Sequence, residues 1–171
     1  MKFSTRARYG LRMMVELAKG LQNEKLVHLG HIAELTGLSE NYLAQLAMAL
    51  KNEGLIIGVS GKKGGYQLAR DPKAIKVSEI VKAAIGPICV TDCVNSPGVC
   101  LNSDFCETRM IWALVNHRIQ ETLEKYTLAD LADRSWMERV RAEYPDLVLL
   151  FPQKVGAQPS EPFGGCPIQE K

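Results

Sequence analysis

The sequence has no long uninterrupted run of apolar residues. A membrane-spanning helix needs about 20 consecutive apolar residues, and no such stretch occurs among the 171 residues of the chain. Residues 1–21 also interleave charged side chains, among them Lys2, Arg6, Arg8, Arg12 and Glu16, with apolar ones. That pattern does not fit the apolar segment of a secretory signal. We therefore expect a cytoplasmic protein without a membrane anchor.

Recognisable catalytic motifs are absent as well. The sequence contains no glycine-rich phosphate loop, no nucleophile elbow and no pair of carboxylates spaced for acid-base chemistry. His28 and His31 are three residues apart at the start of a short predicted helix, which is more typical of a helix cap or a surface than of a metal site. We predict that the protein is not an enzyme.

Composition and charge give a first indication of a partner. With 46% hydrophobic residues, the chain can form one globular core with an extension. The net charge of +2 is uneven, because residues 1–80 contain twelve Lys and Arg against seven Asp and Glu, whereas residues 81–171 contain nine against twelve. The basic first half is expected to face a polyanion, although a solvated basic face would have the same charge.

Local patterns in the first half predict a winged helix-turn-helix. A helix capped by Ser4 or Thr5 is followed by two shorter helices, separated by a turn in which Gly37 ends one and Ser39 caps the next. A Gly- and Lys-rich turn at 60–65 then joins two short apolar segments, which together read as a wing. The helices are predicted at about 5–20, 29–36, 40–52 and 76–84, the last capped near Ser78, and the strands at 55–59 and 66–68.

A long helix dominates the second half. It is predicted from about Glu107 to Tyr126, with an apolar stripe of Ile111, Val115, Ile119 and Leu123 at a spacing of four residues. A short helix starting at Thr127 or Asp130 is expected to reach Tyr144. The segment after Pro152 is rich in Pro, Gly and Ser, which is typical of disorder.

The third helix and the wing contain the candidate DNA contacts. Residues near the start of the second helix of such a motif reach base edges in the major groove, and Asn and Gln suit adenine there. The glycine-rich basic wing suits phosphates or the minor groove. The predicted DNA-binding residues are Ser39, Asn41, Tyr42 and Gln45 for bases, Lys62 and Lys63 on the wing, and Arg6, Arg8 and Lys51 for the backbone.

Four of the five cysteines lie within eighteen residues, at Cys89, Cys93, Cys100 and Cys106. Thiols stay reduced in the cytoplasm. The grouping of four cysteines therefore favours metal binding or redox chemistry over disulfides. Four thiolates suit either an iron-sulfur cluster or tetrahedral zinc. The spacings contain no C-x2-C knuckle of the kind zinc sites use, which favours iron-sulfur. Cys166, in the Pro-rich tail, is predicted to be a free thiol.

A switch made of thiols alone is the third interpretation of these cysteines. Asp92, Asp104 and Glu107 accompany the cysteines in sequence, and neighbouring negative charge raises a thiol pKa. The acidic surroundings therefore argue against highly reactive thiols. The polar composition of the loop likewise argues against four cysteines buried for packing alone.

Several of these stretches together resemble one family of proteins. They are MKFSTRARYGLR at the start, LSENYLAQL with LKNEGLI, the wing GKKGGYQLAR, CETRMIW and YTLADL. Over about residues 1–132 the chain resembles the IscR, NsrR and RirA family, which are Rrf-type winged-helix transcription regulators. The resemblance implies a homodimer, in which the long helix crosses its partner. It also implies a [2Fe-2S] or [4Fe-4S] cluster held by Cys93, Cys100 and Cys106.

The chain departs from the family pattern at the fourth ligand. The position of the IscR-type histidine is Arg109 and that of the NsrR-type aspartate is Arg8, and an arginine cannot ligate. Cys89 is the predicted fourth ligand, and an open iron site is the alternative. Ala44 replaces an acidic residue of IscR-like proteins, so the operator sequence cannot be transferred.

The sequence thus predicts a mainly α protein with a small β wing, divided into four regions. They are a DNA-binding domain over 1–86, a cysteine loop over 87–106, a dimerisation helix and a C-terminal helix over 107–150, and a disordered tail over 151–171. The predicted function is that of a homodimeric transcription regulator that binds double-stranded operator DNA under control of an iron-sulfur cluster. A cluster-free regulator that senses a small molecule or a partner protein, a zinc-bound form and a small redox protein are the alternatives.

Overall fold

The computed structural model describes residues 4–22, 26–61, 64–100, 105–133 and 135–146. Within these ranges the chain is mainly helical, with one two-stranded antiparallel sheet. The elements are α1 (Thr5–Gln22), α2 (Leu29–Thr36), α3 (Glu40–Asn52), β1 (Ile56–Val59), β2 (Gly65–Leu68), a 3-10 turn (Pro72–Ala74), α4 (Val77–Ile85), α5 (Asp92–Asn95), a second 3-10 turn (Pro97–Val99), α6 (Glu107–Lys125), α7 (Leu128–Ala132) and α8 (Trp136–Glu143). The predicted fold class is confirmed. The predicted disordered tail lies outside the described residues, and the division into four regions stays a prediction.

Helix α1 lies at the centre of the core. Met13, Met14, Leu17 and Ala18 are almost completely buried, because their spacing places them on one face of the helix. Ser4 Oγ accepts the backbone N–H of Arg6 at 3.2 Å, which confirms the predicted cap. The helix ends two residues later than predicted, at Gln22.

The helix-turn-helix forms at the positions that its caps predict. Gly37 ends α2 in the left-handed region, with a φ of 70°, where a residue without a Cβ is favoured. Ser39 then caps α3 by accepting the N–H of Tyr42. Both helices pack into the core, α2 through Ile32 and α3 through one buried face.

The wing is a β-hairpin that is fixed to the body of the domain. Strands β1 and β2 pair from Ile56 with Leu68 to Val59 with Gly65. The loop before α2 adds a bridge on the other side of β2, because Val27 and Tyr66 exchange backbone hydrogen bonds of 3.0 and 2.9 Å. The hairpin therefore has a fixed orientation relative to α2.

Helix α4 packs against α1 and α6 and leads into the cysteine segment, which we define as residues 88–106. The cap predicted near Ser78 is wrong. The helix starts at Val77, and the Glu79 carboxylate accepts the N–H of Lys76 at 2.8 Å. The carboxylate of Glu79 in the first turn, rather than the Ser78 hydroxyl, therefore accepts a hydrogen bond at the start of the helix.

The end of α6 returns to the first half of the same chain. Val77 N–H donates to Tyr126 O and Leu128 N–H donates to Ile75 O, at 3.1 and 2.8 Å, and Leu128 is fully buried. No helix in the described residues has the length and apolarity needed to cross a membrane.

The single short helix that was predicted to reach Tyr144 is instead two helices. Asp133 lies between α7 and α8, and its carboxylate accepts the N–H of Ser135 at 2.9 Å. This local side-chain bond competes with continuation of the helix. Helix α7 therefore ends at Ala132, where the sequence pattern predicted one continuous helix.

Candidate nucleic-acid interface and cysteine segment

Helix α3 has one buried and one exposed face. Leu43, Leu46, Ala47 and Leu50 have no accessible surface and fix the helix on the core. The opposite side, which we call the exposed face of α3, consists of Glu40, Asn41, Ala44, Gln45, Met48, Lys51 and Asn52. Three predicted DNA contacts, Asn41, Gln45 and Lys51, therefore lie together on one accessible surface.

Two predicted base contacts of α3 are engaged within the protein. Tyr42 is half-buried, and its ring packs edge-on against the Tyr9 ring with 6.3 Å between the centroids. The Ser39 hydroxyl accepts the cap bond from Tyr42 N–H, which leaves its proton available to a ligand. Tyr42 orients α3 against α1, a contact that no local sequence pattern indicates.

The two arginines of α1 differ in their surroundings. Arg6 is half-buried, and its Nε donates to the carbonyl oxygen of Ala84 in the last turn of α4, at 3.1 Å. Arg8 is exposed, with its guanidinium carbon 5.9 Å from the centroid of the Tyr9 ring. Arg6 thus stabilises the end of α4, whereas Arg8 is accessible to a phosphate.

The wing turn depends on a glycine. A Cβ on Gly64 would lie 2.3 Å from the carbonyl oxygen of Val59, so no larger residue fits without moving the backbone. The N–H of Gly64 also donates to Gly61 O at 2.8 Å, across the turn. The predicted contacts Lys62 and Lys63 belong to this turn but lie outside the described residues.

The described cysteines are free thiols on an accessible segment. Cys89 and Cys100 are exposed, and Cys93 and Cys106 are half-buried. Cys89 donates to Thr91 O at 2.8 Å, and Cys93 Sγ lies 3.3 Å from Thr91 Oγ1. Across the described ranges, no three side chains of His, Cys, Asp or Glu form a group that could hold a metal ion.

The first part of the cysteine segment is bound to α6 at two points. Arg109 Nε donates to the carbonyl oxygen of Cys93 at 2.8 Å. Val90 N–H donates to Asn116 Oδ1 at 3.1 Å, and Asn116 is only 5% exposed. The sequence analysis missed Asn116, because nothing in its neighbourhood distinguishes a buried asparagine from a surface one.

Cys106 is more acidic than the sequence analysis predicted. The Thr108 hydroxyl, 3.1 Å from Sγ, and the backbone N–H groups of Arg109 and Thr108 lower the pKa of this thiol, although the charge of Glu107 raises it. Glu107 thus raises the pKa of this thiol as expected, but the net shift of the pKa is downward. Donors at the start of α6 outweigh the neighbouring carboxylate.

The chemistry of these donors fits a thiolate-bound cofactor. Four thiols on one short accessible segment are soft ligands of the kind that iron-sulfur clusters and zinc require. Binding would require the thiols to exchange their present bonds to Thr91 and Thr108 for a shared ligand. The role of Cys89, Cys93, Cys100 and Cys106 as ligands stays a prediction.

Helix α6 has an apolar surface that the described part of the chain leaves exposed. Met110 is 72% exposed, and Ile111, Trp112 and Leu114 are between 43% and 52% exposed. A groove further along the helix is lined by Leu114, Val115, Arg118, Ile119, Thr122 and Leu123. An uncovered apolar surface of this extent is typical of an interaction site.

Comparisons with known proteins agree on the type of protein. The family model described as Rrf2, iron-dependent transcriptional regulator, matches residues 3–134. A putative HTH-type transcriptional regulator, ORF2 of Azotobacter vinelandii, is 36% identical over 168 residues, covering 98% of this chain and 93% of the relative. The HTH-type transcriptional regulator CymR of Bacillus subtilis is 39% identical over 132 residues, covering 77% of this chain and 90% of CymR.

Solved structures have the same fold. The structure of CymR, described as the global cysteine regulator of B. subtilis, superposes with a TM-score of 0.66 at 37% identity, covering 77% of this chain and 96% of that one. The structure of T. potens IscR superposes with a TM-score of 0.63 at 35% identity, covering 84% of this chain and 91% of that one.

Proposed function

The chain belongs to the Rrf2 family of transcriptional regulators, and on that premise we propose that its affinity for operator DNA is controlled by an iron-sulfur cluster in the cysteine segment. The observation that carries the proposal is the position of this segment. It follows α4 directly and is bound to α6 through Arg109 and Asn116. A change in the segment therefore acts on two helices of the fold.

We assign the DNA contacts to three regions. Asn41 and Gln45, on the exposed face of α3, read base edges, with Ser39 at the start of the helix. Tyr42 supports α3 from the side of α1. The wing lysines Lys62 and Lys63, together with Arg8 and Lys51, bind phosphates, whereas Arg6 acts through the end of α4.

We assign the cluster ligands to Cys93, Cys100 and Cys106, with Cys89 as the fourth. Four thiolates favour a [4Fe-4S] or an all-cysteine [2Fe-2S] cluster, which would supply a centre sensitive to oxidation and to the loss of iron. Arg109 holds the backbone of Cys93, and Asn116 holds that of Val90. These two residues fix the start of the segment relative to α6 whatever the thiols bind.

A second copy of this chain is the proposed occupant of the apolar surface of α6. Regulators that bind DNA as dimers read two half-sites, and an apolar helix face packs against its own copy in a two-fold dimer. The exposed Met110, Ile111 and Leu114 would then be buried. The dimer would set the distance between the two α3 helices.

The path from the cysteine segment to α3 passes through packed side chains. Ile88, in the segment, packs against the cluster formed by Ala7 of α1 with Val77 and Val81 of α4. Arg6 joins the same two helices through Ala84 O, and Tyr9 of α1 contacts Tyr42 of α3. A shift of the cysteine segment can therefore change the orientation of α3. Two orientations of α3 with different affinities for DNA would form the two-state equilibrium that the cluster controls.

A regulator of the same fold without a cluster is the second candidate. The observation in its favour is that Cys89, Cys93 and Cys106 each contact a nearby threonine, so the thiols are satisfied without a metal. Such a protein would sense a small molecule or a partner. The relative CymR, described as the global cysteine regulator of B. subtilis, belongs to the same family.

One experiment separates the two candidates. The protein is purified without oxygen, and its visible absorption, iron and sulfide are measured together with its affinity for operators selected from random duplexes. The same measurements are made on the triple variant Cys93→Ala, Cys100→Ala, Cys106→Ala. The matched control is Cys166→Ala, which removes a cysteine outside the segment.

We expect a coloured wild-type protein that contains iron and sulfide, a colourless triple variant with at least about tenfold altered operator affinity, and a control like the wild type. A colourless wild-type protein that cannot be reconstituted but binds operators would favour the second candidate. Equal operator affinity of the loaded protein and the triple variant would contradict control by the cluster.

A further inference from the structure

Met48 is an exposed apolar residue on the exposed face of α3. Its side chain is 66% exposed. On α3, which the structure describes completely, it is the one large apolar side chain on the exposed face. The other large hydrophobic side chains of this helix, Tyr42, Leu43, Leu46 and Leu50, are buried or half-buried, so the exposure of Met48 does not result from poor packing of α3.

Helical geometry places Met48 on the same side of α3 as Asn41 and Gln45, beyond Gln45 toward the end of the helix. At 3.6 residues per turn, its direction around the axis differs by about 20° from that of Asn41 and by about 60° from that of Gln45. It lies about 4.5 Å further along the axis than Gln45, which is close to the spacing of about 3.4 Å between successive bases of one strand. Met48 and Gln45 can therefore face neighbouring base pairs.

The surroundings of Met48 indicate DNA rather than a protein as the contact. Its neighbours on the exposed face are polar or small, namely Asn41, Gln45, Lys51 and Ala44. The usual mark of a protein-binding surface is a contiguous apolar patch, and the exposed face of α3 does not have one. A single exposed apolar side chain is common on protein surfaces. Met48, however, lies beside the amide side chains of Asn41 and Gln45 and beside Lys51, which are side chains that suit a DNA groove.

We infer that Met48 is a specificity-determining residue, which contacts the 5-methyl group of a thymine beside the base pair that Gln45 reads. The 5-methyl group is the apolar feature that a base pair displays in the major groove. The unbranched Met side chain can reach it and adapt to its position, and Ala44 leaves space on one side. The inference rests on the proposed function, because it requires α3 to enter the major groove.

The test removes the methyl group from the DNA and the thioether from the protein. Operators are selected with the wild-type protein, and each thymine of a half-site is then replaced by uracil, which pairs identically but lacks the 5-methyl group. Affinities are measured for the wild type, Met48→Ala and Met48→Leu. The control is Met137→Ala, which removes a methionine that is 50% exposed on α8. Alanine favours the helix, so Met48→Ala is expected to fold.

For the wild type, we expect uracil at one thymine position to weaken binding about fivefold, as loss of one buried methyl group predicts. Met48→Ala should bind the unmodified operator about fivefold more weakly and should be insensitive to uracil at that position. Met48→Leu should keep the sensitivity, and Met137→Ala should resemble the wild type.

Two results would overturn the inference. If Met48→Ala retains the full uracil penalty at each thymine, or binds the operator as tightly as the wild type does, Met48 contacts no thymine methyl group, and the proposed function remains. If the wild type selects no sequence over random DNA, the proposed function itself fails, and the inference fails with it.

Discussion

The Arg109 guanidinium on α6 donates through Nε to the carbonyl oxygen of Cys93 on α5, at 2.8 Å. The resemblance to IscR-like proteins places a histidine ligand at this position, and the structure shows a backbone contact there instead. The hydrogen bond from Arg109 connects the backbone of Cys93, a proposed cluster ligand, to α6, the proposed dimer helix. Arg109 is therefore a positioning residue in this chain.

Replacement of Arg109 by Ala is expected to loosen α5. A hydrogen bond from a charged donor contributes about 1.5–3 kcal/mol, so hydrogen exchange at the amides of Val94 and Ser96 should accelerate about tenfold or more. Arg118→Ala is the control, because Arg118 on the same helix pairs with Glu121 on the surface. Unchanged protection of α5 in Arg109→Ala would show that the bond does not hold the segment.

Replacement of Asn116 by Leu should destabilise the whole domain. The buried Oδ1 accepts Val90 N–H, and an apolar replacement leaves that donor unsatisfied at a cost of about 1–3 kcal/mol. Urea unfolding measures the loss, with Glu124→Ala on the exposed side of α6 as the control. A free energy of unfolding equal to that of the wild type would mean that Val90 finds another acceptor.

Replacement of Gly64 by Ala should distort the wing. The added Cβ would lie 2.3 Å from Val59 O, which forces the turn to move and displaces the basic tip. We expect weaker binding to operator and random DNA alike, measured by fluorescence anisotropy. Met137→Ala is the control, because Met137 is exposed on α8, outside the wing and the cysteine segment. Operator binding of Gly64→Ala equal to that of the wild type would separate the wing from DNA binding.

The residues Gln45 and Lys62 should affect DNA binding in different ways. Gln45→Ala removes a contact to a base and should weaken operator binding by about 1–3 kcal/mol, with random DNA unaffected. Lys62→Ala should weaken both and reduce the salt dependence by about one counterion. Titrations at several salt concentrations distinguish the two patterns. Equal losses on operator and random DNA would rule out base reading by Gln45.

Asp130 should make stability depend on pH. Hydrogen bonds from the Thr127 hydroxyl and backbone N–H, at 2.7 and 2.8 Å, lower the pKa of this carboxyl group. A lowered folded-state pKa gives stability that is present above the unfolded value of about 3.9 and is lost as the pH falls through the folded value.

The comparison for Asp130 uses Asp130→Asn in urea unfolding at several pH values. At pH 7 the variant should be less stable by about 1 kcal/mol, which is typical of a lost helix cap. The difference should shrink below about pH 4. Asp146→Asn, an exposed control, should stay within about 0.5 kcal/mol of the wild type. A difference that persists unchanged at pH 3 would contradict the ionic origin of the effect.

The predictions that succeeded depend on near neighbours in the chain. Ser39 and Gly37 mark the start of α3 and the end of α2 through contacts within four residues, and the fold class follows from such caps and from apolar spacing. Family membership and the absence of an enzymatic role are likewise confirmed by the relatives. The same helical spacing predicts that Met48 is exposed, although the sequence analysis did not consider this residue.

The amino-acid sequence by itself determined the helix-turn-helix, the wing and the gathering of four cysteines in one segment, because caps, turns and helical period act over a few residues. Tertiary structure alone decided what Arg6, Tyr42 and Asn116 do. Arg6 bonds a residue 78 positions away, and Asn116 bonds one 26 positions away. Such partners are brought together by the packing of whole helices, which no local pattern of side chains specifies.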